Sequence, residues 1–148
     1  MELSDAIIVA NRVYIIGNGG SYANAIHIAN DLISVGVPAF TLDPATLTAS
    51  ANDFGYQTVF DRWIGVVGVE GDLLVALSGS GASANITNGL RRARREGLMT
   101  ALITGAWHKN GEGEAELIIR GGLTMQDAED EQIRIGHDIM RLLKKVKS

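Results

Sequence analysis

Five short apolar runs alternate along the chain with longer segments in which apolar residues recur every three or four positions. Short runs of β-branched and other apolar residues that end at glycine or polar residues are typical of buried strands. The spacing of three or four indicates amphipathic helices with one apolar face each. The predicted strands are residues 12–16, 38–42, 72–77, 99–104 and 116–120, and the predicted helices are residues 21–33, 44–54, 57–67, 84–96 and 124–147.

Residues with special backbone preferences mark the ends of these helices. Ser21 is expected to cap the helix 21–33, because a serine oxygen can accept a hydrogen bond from the first free backbone N–H groups. Gly36 is expected to end that helix, and Pro44 suits the first turn of the next one. A further helical segment of about three turns is predicted for residues 3–11, before the first strand.

The alternation of strands with helices predicts the fold class. Strands that are apolar on both faces need helices on both sides, which is the arrangement of a parallel sheet in an α/β protein. We therefore predict a three-layer α/β/α sandwich around a five-stranded, mainly parallel sheet. No linker rich in proline, glycine and serine divides the chain, so residues 1–148 are expected to form one domain, with residues 3–11 as a short N-terminal segment.

Composition narrows the functional classes. The 148 residues are 46% hydrophobic and 20% charged, which supplies a packed core and argues against disorder. A formal net charge of −4 disfavours nucleic acid as a partner. The absence of cysteine excludes disulfides, thiolate metal sites and a cysteine nucleophile. The acidic start and the lack of an apolar run of about 20 residues predict a cytoplasmic protein without a membrane span.

Two glycine-rich turns follow predicted strands and carry the candidate chemistry. One is residues 17–21, Gly-Asn-Gly-Gly-Ser, and the other is residues 78–83, Ser-Gly-Ser-Gly-Ala-Ser. Where such turns open helices, the free N–H groups and the positive dipole end bind phosphate. Tyr22 breaks the Gly-x-Gly-x-x-Gly pattern, and no Gly-Lys-Ser/Thr follows either turn, so no nucleotide cofactor is expected. The alternative is that both are simply tight turns that need glycine.

The two turns also carry a resemblance to a known family, together with further motifs downstream. These motifs are Ala25-Ile26-His27, Ala51-Asn52-Asp53-Phe54-Gly55-Tyr56, Gly71-Asp72-Leu73-Leu74 and Glu131-Gln132-Ile133-Arg134-Ile135-Gly136-His137. In this order they resemble the sugar isomerase (SIS) domain family, and within it the phosphoheptose isomerases, which act on sedoheptulose 7-phosphate. The resemblance extends from about residue 12 to residue 143. It implies a flavodoxin-like sheet and an aldose–ketose isomerase of heptose biosynthesis that works through an enediol.

The resemblance implies binding roles for both turns. The residues expected to hold the sugar phosphate are Ser78, Gly79, Ser80 and Ser83. The residues expected to line the sugar are Asn18, Gly19, Gly20 and Ser21, with Asp43 near its hydroxyl groups. Gly79 stands where the family usually has threonine, so one phosphate-binding hydroxyl is missing. The family assembles as tetramers with active sites shared between subunits, and a homotetramer or homodimer is therefore expected.

Polar residues on two predicted helices are the candidates for proton transfer. An enediol reaction needs a base near two carbons and a second group for the oxygen protons. His27 and Asp31, four residues apart, share one face of the helix that opens at the first glycine-rich turn. Glu129 and His137 border the apolar face of the last helix, where periodicity equally allows Asp130. By resemblance, Asp31, which replaces a family glutamate, and His137 are catalytic, and Glu129, which replaces a glutamine, contacts the substrate.

The same side chains suit a metal ion. His27, Asp31, Glu129 and His137 together offer two imidazoles and two carboxylates, a set that fits Zn²⁺ or another divalent cation. Some phosphoheptose isomerases bind zinc with the matching residues. The alternative is that each histidine is merely hydrogen-bonded and each acid merely solvated. His108, in the polar glycine-rich loop 105–113, has no such support and is expected to be exposed.

A second hypothesis is that the protein binds a ligand without catalysis. The basic run 91–95 lies late in a helix, where it most simply forms a solvated face that complements the helix C-terminus. A relative of the family assists bacterial replication initiation as a binding protein without catalysis. A sugar-phosphate-binding or assembly module is therefore the second hypothesis, and the net charge ranks nucleic acid below a sugar phosphate as its ligand.

Overall fold

Five parallel strands form one sheet in the computed structural model, which describes residues 1–108 and 115–148. The strands are β1 (Val13–Gly17), β2 (Ala39–Phe40), β3 (Leu73–Leu77), β4 (Met99–Thr104) and β5 (Leu117–Arg120). Their spatial order is β2-β1-β3-β4-β5, and each neighbouring pair is parallel. The predicted fold class is confirmed, and across the described ranges the sheet is wholly rather than mainly parallel.

Two layers of helices cover the sheet. The helices are α1 (Leu3–Val9), α2 (Gly20–Ser34), α3 (Pro44–Phe54), α4 (Val59–Val67), α5 (Ala84–Arg95) and α6 (Met125–Val146), with a 3₁₀ turn at Tyr56–Thr58. Side chains alternate along β1, so that Ile15 packs with α1, α2 and α6, whereas Ile16 packs with α4 and α5. Because each strand contributes to both faces, the sheet separates two apolar cores.

The strand register places the two glycine-rich turns side by side. β1 and β3 are neighbours, and Gly17 at the end of β1 lies opposite Leu77 at the end of β3. The chain leaves both strands at the same edge of the sheet and enters α2 and α5. The strand order reverses direction between β1 and β3, and ligands of open α/β sheets bind at such a reversal.

Two helix boundaries differ from the prediction. α1 has seven residues, about two turns rather than three, and it buries Leu3 and Ile7 in the core. The residue that caps α2 is Gly19, with a φ of 56°, so the prediction that Ser21 is the cap is wrong. A left-handed residue starts this helix, which glycine does without strain. Ser21 lies inside the first turn and is buried.

Two further predictions are tested only in part. Residues 105–108 of the predicted polar loop are described, whereas its residues 109–113 lie outside the described part of the chain. Among the described helices, none combines the length and the apolar character that a membrane crossing needs.

Candidate active site

Glycines build the turn between β1 and α2 because a side chain would lack space at Gly17 and Gly20 and would be strained at Gly19. A Cβ atom on Gly17 would lie 2.7 Å from the carbonyl of Ser21, and one on Gly20 would lie 2.5 Å from Oε2 of Glu129. Gly19 adopts a positive φ, which strains residues that have a Cβ atom. The glycines therefore allow a tight turn and bring α6 against the N-terminus of α2.

Asn18 is the polar side chain of this turn, and its amide has a fixed orientation. Its Nδ2 donates to Oδ1 of Asn85 at 2.8 Å, and its Oδ1 accepts from Nδ2 of Asn85 at 2.9 Å. The hydroxyl of Tyr56 also donates to this Oδ1, at 2.5 Å. Asn85 is buried in the first turn of α5. The paired amides therefore tie the two glycine-rich turns together.

The three serines of the second turn, residues 78–83, have different roles. The buried hydroxyl of Ser78 accepts from the N–H of Gly81 at 3.0 Å. The hydroxyl of Ser80 accepts from the N–H of Ala82 at 3.2 Å. Ser83 is the N-cap of α5, yet its side chain makes no capping hydrogen bond. Ser78 and Ser80 thus shape the turn, while the hydroxyl of Ser83 is not used to close the helix.

Both turns line one small cavity at the N-termini of α2 and α5, which we call the serine cavity. Its volume is about 90 Å³, and its lining residues are Asn18, Ser21, Leu77, Ser78, Gly79, Ser80, Ser83, Met125 and Glu129. A Cβ atom on Gly79 would lie against the sulfur of Met125, which is near the end of a flexible side chain. Two positive helix ends and several hydroxyls favour an anion here.

A second polar group, the His–Asp cluster, lies between α2 and α6 and consists of His27, Asp31 and His137. Nε2 of His27 is 3.0 Å from Nε2 of His137. Oδ2 of Asp31 is 3.3 Å from each of these nitrogens, without the alignment of a hydrogen bond. The Asp31 side chain is 14% exposed and that of His27 is 50% exposed. Three atoms that can ligate a metal ion therefore converge beside solvent. One of them is a carboxylate oxygen without a hydrogen-bond partner in the described structure.

The close approach of α2 and α6 brings the cluster together. Gly136 of α6 faces Ile28 of α2, and a Cβ atom on this glycine would lie 2.7 Å from Cγ1 of Ile28. The fully buried Gln132 donates to the hydroxyl of Ser21 at 3.1 Å and accepts from Asn24 at 2.9 Å. Gln132 was not among the predicted site residues, although an amide on the apolar face of the last helix is a signal for a buried hydrogen bond.

The structure does not group Glu129 with the His–Asp cluster. Its carboxylate lies against Gly20 and lines the serine cavity. Glu129 and His137 are eight residues apart, which separates them by about 12 Å along the helix axis. Three of the four predicted metal ligands therefore meet, and the fourth, Glu129, lines the serine cavity instead. Its predicted contact with the substrate stays a prediction. Asp130, which periodicity also allowed, is exposed.

Asp43 has a local role at the start of α3. It is the N-cap of this helix, and its carboxylate accepts from the N–H of Thr46 at 3.0 Å and from the Thr46 hydroxyl at 2.7 Å. These hydrogen bonds stabilise the charged form and lower the pKa of Asp43. The prediction that Asp43 lies near the sugar hydroxyls stays a prediction.

His108 was expected to be exposed, and this expectation is wrong, because the residue is only 4% exposed. The chain turns after β4, and the N–H of His108 donates to the carbonyl of Gly105. Nε of Arg120 donates to the carbonyl of His108 at 3.0 Å. The imidazole lies against Gly81 of the second glycine-rich turn, residues 78–83, which we call the serine turn. Burial, followed by the nearby charge of Arg120, lowers the pKa of His108.

Comparison with known sequences places the chain in a family. The family model described as SIS domain matches residues 2–105. A phosphoheptose isomerase of Akkermansia muciniphila is 34% identical, and the match covers 96% of this chain and 80% of that relative. A phosphoheptose isomerase of a Bradyrhizobium species is 42% identical, and the match covers 78% of this chain and 63% of that relative.

Solved structures of phosphoheptose isomerases share the fold of this chain. A phosphoheptose isomerase from Francisella tularensis has a TM-score of 0.87 at 23% identity, with 96% of this chain and 82% of that chain covered. One from Neisseria gonorrhoeae has a TM-score of 0.82 at 24% identity, with 97% of this chain and 81% of that chain covered. The family model and the sequence relatives together show that the chain belongs to the SIS-domain family and, within it, to the phosphoheptose isomerases.

Proposed function

We propose that the chain is an aldose–ketose isomerase that converts sedoheptulose 7-phosphate into glycero-manno-heptose 7-phosphate through an enediol. The observation that carries this proposal is a largely buried carboxylate, Asp31, flanked by two imidazoles on the same pair of helices that borders the serine cavity. One helix, α2, thus contributes both to an anion site and to an acid–base group. The relatives named phosphoheptose isomerase support the choice of substrate.

The serine cavity holds the phosphate in this proposal. The N-termini of α2 and α5 supply free N–H groups and positive dipole ends, and the hydroxyl of Ser83 is not used for capping. Asn18, whose amide is held by Asn85, presents a fixed polar group to the sugar. Glu129 is the one carboxylate among the lining residues, and it accepts hydrogen bonds from sugar hydroxyls rather than contacting the phosphate.

The His–Asp cluster moves the protons. From the ketose, Asp31 takes the proton on C1 while protonated His137 gives a proton to the carbonyl oxygen on C2, which forms the cis-enediol. Asp31 then returns its proton to C2, and His137 takes the proton from the C1 hydroxyl, which leaves the aldehyde. His27, 3.0 Å from His137, holds the second imidazole in place. Both groups end in their starting protonation states, so the cycle is balanced.

The same cluster fits a divalent cation. Tetrahedral Zn²⁺ binds imidazole nitrogen at about 2.0–2.1 Å, which separates neighbouring ligand atoms by about 3.3–3.4 Å. The three donor atoms of His27, Asp31 and His137 are separated by 3.0 Å and twice by 3.3 Å. A cation would also satisfy Oδ2 of Asp31, which has no hydrogen-bond partner among the described residues. When bound, such an ion would polarise the substrate carbonyl in place of the proton on Nε2 of His137, because one nitrogen atom cannot hold both. Glu129 would not be a ligand, because it lines the serine cavity.

A homo-oligomer, either a tetramer or a dimer, is part of the proposal. Three large apolar side chains on the neighbouring helices α2 and α6 are about half exposed: Ile26 at 45%, Ile33 at 56% and Leu142 at 46%. Exposed apolar groups on adjoining helices are typical of an interface between copies. Light scattering at micromolar concentration measures the mass, and a monomer would contradict this part of the proposal.

Hydrogen exchange tests the isomerase directly. Sedoheptulose 7-phosphate is incubated with the chain in D₂O, with and without added Zn²⁺, and followed by NMR. We expect conversion to the aldose and deuterium at the carbon that receives the proton. Sedoheptulose without phosphate is the matched control, and it should react far more slowly because the serine cavity has no group to hold. Binding of the sugar phosphate without any exchange would favour the non-catalytic hypothesis instead.

A further inference from the structure

His108 lies directly behind the serine turn, in contact with its glycine. A Cβ atom on Gly81 would lie 2.6 Å from both Cδ2 and Nε2 of the imidazole. Gly81 also has a φ of 63°, so both its conformation and its contact with His108 require glycine. The ring edge that carries Nε2 therefore packs on the backbone of the turn, and His108 is not among the residues that line the serine cavity.

The turn is held on this side through the carbonyl of Gly79. The carbonyl of Gly79 accepts from the N–H of Gly105 at 3.0 Å and from the hydroxyl of Thr104 at 3.3 Å. The imidazole of His108 lies beside the backbone of Ser80 and Gly81. The carbonyl of Gly79 thus faces β4 and the segment that follows it. An anion site requires this orientation, because a carbonyl oxygen would repel the phosphate.

One tautomer of His108 fits these surroundings. Nε2 is buried and has no hydrogen-bond partner among the described residues, which leaves Nδ1 as the ring nitrogen available to the backbone of Ser80. Because a backbone carbonyl can only accept, Nδ1 would carry the proton in that hydrogen bond. Burial and the charge of Arg120 keep the ring neutral by lowering its pKa. A neutral Nδ1–H imidazole donates to the turn without placing a desolvated charge beneath it.

We propose that His108 is a positioning residue of the phosphate site, which holds the serine turn in its anion-binding conformation through a hydrogen bond from Nδ1–H to Ser80. This inference rests on the proposed role of the serine cavity as the phosphate site. A turn that is already ordered binds an anion more tightly, because less conformational entropy is lost on binding. The effect of His108 should therefore appear in phosphate affinity and KM rather than in kcat.

Three substitutions of His108 test the proposal with inorganic phosphate by calorimetry and with sedoheptulose 7-phosphate by kinetics. H108N places an amide N–H close to the position of Nδ1, H108Q places its polar atoms farther out, and H108L has no donor. We expect H108N to keep phosphate affinity within about twofold, and H108Q and H108L to weaken it about tenfold, with kcat close to the unsubstituted rate. The neighbouring W107L is the control for general loosening of the segment after β4, and it should keep the affinity.

The outcomes separate this inference from the proposed function. Equal affinities in all His108 variants, or equal losses in H108N, H108L and W107L, overturn the positioning role while the phosphate site stands. Absence of phosphate and sugar-phosphate binding in the unsubstituted chain overturns the site itself and this inference with it. If H108L does not fold, ¹⁵N NMR of the unsubstituted chain decides: a neutral Nδ1–H tautomer supports the role, and an Nε2–H tautomer overturns it.

Discussion

The serine cavity and the His–Asp cluster are neighbouring sites with opposite origins. Most of the serine cavity comes from two contiguous turns, each between one strand and the helix that follows it. The cluster instead joins His27 of α2 to His137 of α6, which are 110 residues apart in the sequence. Backbone geometry within a few residues therefore determines the proposed anion site, whereas the packing of two distant helices determines the proposed acid–base site.

The two sites also differ in how far their polar groups are satisfied. In the serine turn, the hydroxyls of Ser78 and Ser80 already accept hydrogen bonds from their own loop. In the cluster, Oδ2 of Asp31 is buried without a hydrogen-bond partner in the described structure. A buried polar atom without a partner is costly and is often retained for function. The serine turn is therefore hydrogen-bonded within itself, whereas the cluster contains a carboxylate oxygen that can still accept a hydrogen bond or ligate a cation.

The largest expected effect comes from removing the base of the cluster. Asp31→Asn keeps the size of the side chain but removes its basicity, so turnover should fall about 10²–10⁴-fold while phosphate affinity stays unchanged. Asp31→Glu restores the side chain usual in the family and should preserve or raise the rate. Asp130→Asn, on the exposed side of α6, is the control. Full turnover in both Asp31→Asn and His137→Ala would exclude the proposed acid–base roles.

Separating α2 from α6 should damage the cluster and spare the serine turn. In Gly136→Val, the new Cβ atom meets Cγ1 of Ile28 at 2.7 Å in the present packing. Such overpacking lowers the free energy of unfolding by about 1–3 kcal/mol, and kcat should fall more than phosphate affinity. Urea unfolding and steady-state kinetics measure the two effects. The second substitution Ile28→Ala makes space and should restore part of both losses, and a double variant no better than Gly136→Val would contradict this account.

A substitution in the serine cavity should change KM rather than kcat. Ser80→Ala removes a cavity hydroxyl that also accepts from Ala82. We expect about a tenfold weaker phosphate affinity and a matching rise in KM, with little change in kcat. Ser50→Ala, outside the cavity lining, is the control. If calorimetry shows the same phosphate affinity for Ser80→Ala as for the unsubstituted chain, the phosphate does not bind at this turn.

The smallest effect is expected at Asp43, whose hydrogen bonds to Thr46 are local. Its lowered pKa means that the unfolded chain binds a proton more readily, so the stability from this carboxylate is present above pH 3.8 and lost as the pH falls below it. Asp43→Ala should lower the unfolding temperature at pH 7 by about 2–4 °C, as loss of a helix cap does. Asp43→Asn keeps a cap, and its unfolding temperature should fall less between pH 5 and pH 3.

Asp43→Asn also tests the role that the resemblance implies. If Asp43 only caps α3, turnover of Asp43→Asn should equal that of the unsubstituted chain. A rise in KM without loss of stability would instead place Asp43 at the sugar hydroxyls.

Sequence patterns predicted the elements well where local signals were strong. β4 begins at Met99 and ends at Thr104 as predicted, because an apolar run lies between a helix-ending glycine and the glycine after it. Pro44 opens α3, and the side chain of Thr124 caps α6. The cap of α2 was missed because both Gly19 and Ser21 are acceptable caps by type, and only the backbone conformation distinguishes them.

The site residues were predicted less completely than the helices and strands, and the physical reason differs between residues. His27 and Asp31 could be paired from their spacing, because four residues on a helix place two side chains on one face. His108 could not be predicted as buried, because a polar glycine-rich loop has no periodicity that shows which side chains point inward. Gln132 was missed because its partners, Ser21 and Asn24, are on a distant helix.

The sequence by itself determined the order of strands and helices, the two glycine-rich turns and the placement of each helical side chain around its own axis. These features depend on interactions within a few residues. Only the tertiary structure decided that His137 meets Asp31, that Glu129 lines the serine cavity, and that His108 packs against Gly81. Periodicity gives the direction in which a side chain points, but the element that it meets depends on how distant segments pack around the sheet.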